Sequence, residues 1–178
     1  MPSSQKPLGT GFGPFTTAAE VASGVDLSGK TVIVTGGASN LGRETVRILS
    51  SIGARVIIPA RDTDAAREAM SDLPDVELSP MDLLDTSSIK SFAAGVIDKL
   101  GSLDLLILSA GIMASPLFRD AQSHEGQFAT NHLGHFQLTA ALWPALLRGE
   151  TARIVVLSSR APARWLGPLR SRLPAARL

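Results

Sequence analysis

The 178-residue chain has the composition of a globular protein, with 44% hydrophobic and 19% charged residues, which excludes a disordered or fibrous protein. It contains no cysteine, so a disulfide framework and a thiolate metal site are excluded. The sequence shows neither the apolar run of a signal peptide nor a stretch of about 18 apolar residues that could span a membrane, and we therefore expect a cytoplasmic location.

The net charge of +1 conceals an uneven distribution along the chain. Residues 160–178 contain five arginines and no acidic residue, so the preceding part is net acidic. A basic tail can attract phosphate or an acidic membrane surface. This tail has no lysine, three prolines and a single aromatic residue, Trp165, and we expect no nucleic-acid binding.

Strands and helices alternate from residue 31 onwards, after an arm and a short helix in residues 1–26. Thr17 and Glu20 form a capping-box pattern for that first helix. The periodicity then predicts strands 31–35, 54–59, 75–79, 103–109 and 153–158, and helices 41–52, 62–72, 86–100 and 122–147. This alternation is typical of βαβ units, and it predicts an α/β Rossmann-type doubly wound parallel sheet of about five strands in the order 3-2-1-4-5. The predicted domain is 27–159, followed by an irregular tail, 160–178.

Individual residues predict how the helices begin, end and pack. The expected N-caps are Asp62 and Thr86, and the expected terminators are Gly53 and Gly101. One face of the helix over 41–52 is apolar and is predicted to pack on the sheet through Leu41, Val46, Leu49 and Ile52.

A glycine-rich turn, TGGASNLG over residues 35–42, joins the first strand to the helix that follows it. Small residues let a backbone approach a pyrophosphate, and the free N–H groups at a helix N-terminus hold its negative charge with the help of the helix dipole. The alternative is a tight turn without a ligand. The order strand, turn and helix favours a dinucleotide site.

The end of the second strand carries a signal for the type of dinucleotide. In such folds an acid about 20 residues after the glycines favours a free ribose 2′-hydroxyl, whereas an arginine accommodates a 2′-phosphate. Arg61 stands at this place, and Arg43 adds a second positive charge beside the glycine turn. Because a guanidinium matches phosphate geometry, we expect NADP(H) rather than NAD(H). The alternative for Arg61 is a solvated residue at a helix start.

With these motifs the chain resembles the short-chain dehydrogenase/reductase (SDR) family, especially its retinol-dehydrogenase-like members, over residues 27–159. The turn 35–42 matches the family's TGxxxGxG pattern except that Asn40 replaces the middle glycine, and asparagine tolerates a left-handed backbone better than most residues. The resemblance implies a set of dinucleotide-binding residues: Thr35, Gly36, Ser39, Asn40, Leu41, Gly42, Arg43, Arg61, Asp82, Leu83, Ser109, Ala110 and Gly111.

Three further motifs follow in the family's order. Residues 108–111, LSAG, stand where the family has NNAG, with Ser109 in place of the second asparagine, which usually braces the central sheet. Residues 128–136 are close to the retinol-dehydrogenase-like form, and Asn131 aligns with the asparagine of the catalytic tetrad. Residues 153–159 end in the serine pair whose second member, Ser159, aligns with the catalytic serine.

The resemblance implies hydride transfer between nicotinamide and an alcohol or carbonyl carbon of a small-molecule substrate, with a tyrosine as acid or base and a lysine four residues after it. The chain has no tyrosine, and its lysines all precede Ser159: Lys6, Lys30, Lys90 and Lys99. A positioned general acid or base contributes about 10² to 10⁴ in rate. We therefore expect a truncated family member with little or no activity. The alternative is a non-catalytic dinucleotide-binding or interaction module.

Other features have plainer interpretations. His132 and His135 could share a helical face, but no third ligand stands near, and zinc needs at least three protein ligands, so no metal site is predicted. Both are expected to be helix residues near the cofactor pocket or at a subunit surface. Phe136 and Trp143 are expected in the core or at an interface. The last strand, 153–158, is expected to be an apolar edge with unpaired backbone groups, and therefore a place where the chain could associate with itself.

Overall fold

A five-stranded sheet forms the centre of the computed structural model, which describes residues 9–73 and 75–158. All neighbouring strands are parallel, and their order is β3-β2-β1-β4-β5. The strands are β1 (Thr31–Thr35), β2 (Arg55–Ala60), β3 (Glu77–Pro80), β4 (Leu105–Leu108) and β5 (Arg153–Val156). The predicted Rossmann-type sheet and its strand order are confirmed.

A short helix precedes the first strand, and the helices after it connect successive strands and cover both faces of the sheet. They are α1 (Ala18–Ala22), α2 (Asn40–Ser51), α3 (Thr63–Ala69), α4 (Thr86–Leu100), α5 (Gly126–Phe128) and α6 (His135–Arg148), and a π-helical segment, Ala129–Gly134, joins the last two. Among the described residues, no helix is long and apolar enough to cross a lipid bilayer.

The core has two layers because strand side chains alternate between the faces of the sheet. On β1, Ile33 packs with the buried residues of α4 and α6, whereas Val32 and Val34 pack on the other face with Val46 of α2. All four side chains are fully buried, and each contributes roughly 1.5 to 3 kcal/mol to folding. The central strand is therefore held rigidly from both sides, and the cleft described below opens at its carboxyl end.

Most helix ends follow the predicted signals. Thr17 and Glu20 form both hydrogen bonds of a capping box, and the Asp62 carboxylate caps α3. Gly53 and Gly101 adopt φ values of 94° and 69° just after α2 and α4. The prediction for Thr86 was wrong: the Asp85 carboxylate accepts the N–H groups of Ser87 and Ser88 and is the N-cap of α4. The Thr86 hydroxyl instead donates to the amide oxygen of Gln137 on α6.

The single helix predicted over 122–147 was also wrong. The Glu125 carboxylate accepts the N–H groups of Gln127 and Phe128, so the helical segment begins only at Gly126. A π-helical segment then inserts an extra residue into the turn before α6 starts at His135. The hydrophobic period shows where a helix packs, but it carries no signal for such a bulge.

Two predictions about apolar side chains need correction. Leu41 is 75% exposed, whereas Val46 and Leu49 of the same helix pack on the sheet as predicted. Leu41 lies in the first turn of α2, beyond the carboxyl end of the strands, so it faces the cleft. Phe136 and Trp143 are exposed on α6, so the core alternative is wrong for both.

Strand β5 forms one edge of the sheet within the described part of the chain. It pairs with β4 alone, and all four of its residues are exposed. The expected apolar edge strand is therefore present, although it ends at Val156 rather than at 158.

Candidate functional site

A cleft of about 380 Å³ opens at the carboxyl ends of β1, β2 and β4. From β1 the chain builds the sheet outwards on one side through β2 and β3 and on the other through β4 and β5. The connections after β1 and β4 run to opposite sides of the sheet, and a crevice opens between them. Open α/β sheets bind their ligands in such a crevice. The cleft is lined by twelve of the thirteen residues predicted to bind a dinucleotide: Thr35, Gly36, Ser39, Asn40, Leu41, Gly42, Arg61, Asp82, Leu83, Ser109, Ala110 and Gly111.

The glycine turn is closed so tightly that side chains cannot be added. Gly36 has φ +68°, and a Cβ atom there would lie 2.8 Å from the Cα atom of Ala110. A Cβ atom on Gly42 would overlap the carbonyl group of Gly36. Asn40 takes the left-handed conformation expected of it, with φ 46°. The turn therefore packs against the loop after β4 on one side and against the start of α2 on the other, and it leaves bare backbone along the cleft.

The N-terminus of α2 presents free donors to this cleft. Ser39 is the N-cap residue, but its side chain makes no capping hydrogen bond, and the first turn holds no acidic residue. Within residues 9–73 and 75–158, no side chain caps this helix. Unpaired N–H groups together with the positive end of the helix dipole suit an anion. The backbone that Gly36 and Gly42 leave bare therefore fits the pyrophosphate of a dinucleotide.

The far side of the cleft is built by the ends of β2 and β3. Arg61 is exposed there and forms no ion pair with any carboxylate in the described part of the chain. Asp82 is held by its own turn, because its carboxylate accepts the N–H of Leu84 while its backbone N–H donates to the Ser88 hydroxyl.

Arg43 does not reach the cleft. Its guanidinium donates to the Asp72 carboxylate at 2.6 Å and to the Ala69 carbonyl at 3.1 Å, on the outer side of α2. The hydrogen bond from Arg43 is the main reason that the pKa of Asp72 lies below its ordinary value. The structure therefore does not support the prediction that Arg43 supplies a second positive charge, and among the described residues Arg61 is left as the basic residue at this side of the cleft.

The floor of the cleft is organised by the buried Thr35 hydroxyl at the end of β1. It accepts the backbone N–H groups of Ser109 and Ala110, each at 3.0 Å, and thereby holds the loop after β4 against β1. The Nε2 atom of His135 lies 2.9 Å from the same hydroxyl, and Nδ1 of that ring lies 3.0 Å from the Asn131 carbonyl oxygen. Burial lowers the pKa of His135 below its ordinary value of 6.5. Ser109 stands where the resemblance places an asparagine, and Thr35 and His135 make the contacts across this part of the sheet.

Of the two predicted catalytic residues, the structure describes one. The side chain of Asn131 accepts the N–H of Ile112 and donates to the carbonyl of the same residue, each at 2.8 Å. This pair of bonds fixes the π-helical segment to the loop that follows β4. Ser159 lies outside the described residues.

The two histidines that share the motif have separate environments. His132 is exposed and stacks on Phe128 with ring centroids 5.2 Å apart, whereas His135 points into the sheet. Among the described residues, no group of three or more potential ligands could hold a metal ion. His135 is the residue that sequence reasoning undervalued, and its signal was available, since a histidine one helical turn after Asn131 falls on the side of the helix that faces the sheet.

A parallel sheet, a cleft at its switch point and bare helix amides define a Rossmann-type domain of the kind that binds dinucleotides. The family model of the short chain dehydrogenases matches residues 30–165, and the chain belongs to this family of oxidoreductases, whose members bind NAD(P) and act on small alcohols or carbonyl compounds. Bovine retinol dehydrogenase 12 is 41% identical over 152 residues, which are 82% of this chain and 48% of that protein. Mouse retinol dehydrogenase 11 is 42% identical over 143 residues, or 77% of this chain and 45% of that protein.

Solved structures give the same result. An uncharacterized protein from Mycobacterium paratuberculosis is 42% identical, with a TM-score of 0.68 over 76% of this chain and 48% of that one. The Pseudomonas aeruginosa RhlG/NADP active-site complex is 28% identical, with a TM-score of 0.67 over 76% of this chain and 57% of that one. The chain is thus retinol-dehydrogenase-like, and it spans about half the length of the curated relatives it matches.

Proposed function

We propose that the chain provides the dinucleotide site of an alcohol or carbonyl oxidoreductase and that it takes NADP(H) in preference to NAD(H). The observation that carries the proposal is the cleft itself, in which uncapped amides of α2 and the side chain of Arg61 line opposite sides of one opening. When bound, the dinucleotide supplies the hydride or accepts it. Two solved relatives are described as NADP complexes, which agrees with the preference.

The residues of this chain have distinct roles in the proposal. Amides at the start of α2 hold the pyrophosphate, while Gly36 and Gly42 permit its approach. Arg61 pairs with the 2′-phosphate. Asp82 and Leu83 border the adenine, while Ser109, Ala110 and Gly111 support the nicotinamide half. Asn131 anchors the π-helical segment and orders a proton-relay water, and Ser159 positions the oxygen of the substrate.

Removing the charge at Arg61 tests the preference for NADP(H). We expect Arg61→Ala to weaken NADPH binding about ten- to hundredfold, because a hydrogen bond to a charged group contributes about 1.5 to 3 kcal/mol. NADH binding should change by less than about threefold, since it has no 2′-phosphate for the guanidinium to meet. Isothermal titration calorimetry of the purified chain with both nucleotides gives the two constants.

The matched control is Arg67→Ala on the next helix. Arg67 is an exposed arginine that pairs with Asp64 and does not line the cleft, so its removal should leave both affinities unchanged. Equal losses for NADPH and NADH in Arg61→Ala, or equal losses in the two variants, would contradict a specific 2′-phosphate contact.

The chain of these 178 residues is expected to bind NADPH without appreciable turnover. It holds no tyrosine, and an arginine stays protonated near neutral pH and cannot shuttle protons. Loss of the general acid removes about 10² to 10⁴ in rate, or roughly 3 to 5 kcal/mol of barrier stabilisation. The measurement is NADPH consumption with a panel of aldehydes and ketones, and robust turnover would overturn this expectation.

The exposed apolar strand β5 favours a second candidate function, a non-catalytic nucleotide-binding or interaction module. Its exposed apolar edge at β5 could then pair with another chain, and a homo-oligomer is one form of that association. NADPH affinity without turnover is expected of both candidates, and association of the chain through β5 favours the second. Absence of any nucleotide binding would contradict the first candidate and the nucleotide-binding form of the second.

A further inference from the structure

The hydrogen-bonding capacity of the Thr35 hydroxyl is fully used. A hydroxyl oxygen accepts two hydrogen bonds and donates one. The two that Thr35 accepts come from the N–H groups of Ser109 and Ala110. Its proton must therefore point elsewhere, and the acceptors in reach are Nε2 of His135 at 2.9 Å and the carbonyl oxygen of Ile107 at 3.5 Å. The imidazole is the nearer of the two, so it receives the proton.

The other nitrogen of the ring fixes the tautomer. Nδ1 of His135 lies 3.0 Å from the backbone carbonyl oxygen of Asn131, which can only accept, so Nδ1 carries the hydrogen. In a neutral imidazole, Nε2 is then the acceptor, as the Thr35 hydroxyl requires. Both hydrogen bonds of the ring therefore require the same neutral tautomer, with the hydrogen on Nδ1.

From this geometry we propose that His135 is a positioning residue of the nucleotide cleft, which in its neutral Nδ1–H form aims the Thr35 hydroxyl and so fixes the loop 109–111. This role of His135 rests on the proposed function, because the loop 109–111 lines the proposed nucleotide site. Protonation of His135 would then make the shape of the cleft depend on pH. In the protonated ring, Nε2 becomes a third donor directed at an oxygen that can accept only two hydrogen bonds. One backbone N–H, from Ser109 or Ala110, must then be released, and the floor of the cleft loosens.

The surroundings of the ring favour the neutral form. Burial is the main cause that lowers the pKa of His135, and the nearby charge of His132 lowers it further. The hydrogen bond to Asn131 raises this pKa but does not outweigh burial. The loop after β3 packs on the start of α6 through Leu83, which contacts Gly134. The ionisable group next to Leu83 on this loop is Asp82. The side chains of β4 are aliphatic, and those that α4 buries against α6 are apolar: Ile89, Phe92, Ala93 and Val96.

The sign of the pH dependence follows from a folded-state pKa below the unfolded one. The unfolded chain then binds the proton more readily, so stability rises with pH. The full contribution of His135 to stability is present above the ordinary value of 6.5 and is lost as the pH falls through the lower folded-state pKa. We expect nucleotide affinity to fall over the same range, since the cleft loosens with the same proton.

Binding of NADP⁺ is first measured at about pH 8, where the neutral imidazole prevails. The wild-type chain is then compared with His135→Gln down to about pH 5, since the glutamine oxygen can still accept from Thr35 but does not titrate. The 2′-phosphate of the ligand also titrates near pH 6, so the measured quantity is the ratio of the two affinities, from which the ligand's own ionisation cancels. The wild type should lose about tenfold more affinity than His135→Gln, because only the wild-type ring gains a proton over this range and releases one of the backbone hydrogen bonds that hold the loop.

The matched control is His132→Gln, which removes an exposed histidine three residues earlier and should keep the steep pH dependence of the wild type. His135→Leu removes the acceptor altogether and should weaken binding at every pH. A ratio that stays constant with pH, or a pH dependence lost equally in His132→Gln, would overturn the role of His135.

A separate measurement distinguishes failure of this inference from failure of the proposed function. Two-bond ¹H–¹⁵N correlation spectra of the wild-type chain at neutral pH show which ring nitrogen of His135 is protonated. We expect hydrogen on Nδ1 and none on Nε2. The opposite tautomer or a charged ring would overturn the inference even if NADP⁺ binds. Failure to bind NADP⁺ at about pH 8 would overturn the proposed function and with it the control of affinity by pH.

Discussion

Gly42→Ala should abolish nucleotide binding and lower the free energy of unfolding by about 1 to 3 kcal/mol, the range for overpacking in a tightly packed region. The new methyl group would overlap the carbonyl group of Gly36, and backbone cannot rotate away as a flexible side chain can. The start of α2 must then move off the glycine turn. Since the same helix start offers its amides to the cleft, the change removes the anion site as well. Urea unfolding and NADPH titration measure the two effects.

Gly95→Ala is the matched control, because it places the same methyl group in another helix. Gly95 lies in the interior of α4, and a Cβ atom there would have nothing within 4 Å. Alanine is about 1 kcal/mol better than glycine in a helix interior, so this variant should be more stable and bind NADPH unchanged. Gly42→Ala with normal affinity would show that the turn does not hold the pyrophosphate.

The fold could be predicted from the sequence because each strand is short, apolar and bounded by turn residues. The run TVIVT became β1 at the predicted residues, and Asp62 capped its helix as expected. Local chemistry determined these elements, since a buried parallel strand needs β-branched residues and a helix start needs a side-chain acceptor. At β2 and β3 the predicted bounds were displaced by one or two residues, because hydrogen bonding to the neighbouring strand decides where a strand begins and ends.

The region between β4 and α6 could not be predicted in the same way. Its structure depends on contacts between residues far apart in sequence, such as the paired hydrogen bonds from Asn131 to Ile112. Gly134 sits so close to the carbonyl of Leu83 that no side chain fits between them. The hydrophobic periodicity contains no information about such contacts, so it predicted one uninterrupted helix over 122–147.

In the candidate site, too, the local features could be predicted and the long-range contacts could not. The glycine turn and Arg61 were found from their order along the chain, because a phosphate-binding turn is a local structure. Arg43 follows Gly42 directly, yet its guanidinium lies with Asp72, since a salt bridge depends on where α3 ends rather than on distance along the sequence. His135 was expected only to lie near the cofactor pocket or at a subunit surface, and its contact with Thr35, which spans 100 residues, was not predicted.

That long-range contact gives the other large expected effect. Thr35→Val keeps the shape of a side chain that is 1% exposed but removes its hydroxyl, which leaves the N–H groups of Ser109 and Ala110 without their acceptor. Each unsatisfied buried donor costs about 1 to 3 kcal/mol, and because both groups are only partly buried we expect a total loss of about 2 to 4 kcal/mol. The loop that lines the cleft is released, so NADP⁺ affinity should fall at least about tenfold. Chemical denaturation and calorimetry provide the values.

Two companion variants separate the hydroxyl from simple packing. Thr35→Ser keeps the hydroxyl and should retain nucleotide affinity while losing about 1 kcal/mol of stability with its methyl group. In Thr35→Val the Nε2 atom of His135 loses its donor, so adding His135→Leu removes an acceptor that is already unpaired. The double variant should therefore lose less than the sum of the single losses, by about 1 kcal/mol, because replacing both partners of a buried hydrogen bond is milder than orphaning one. Strictly additive losses would mean that Thr35 and His135 act independently, and the loop 109–111 would then owe its position to Thr35 alone.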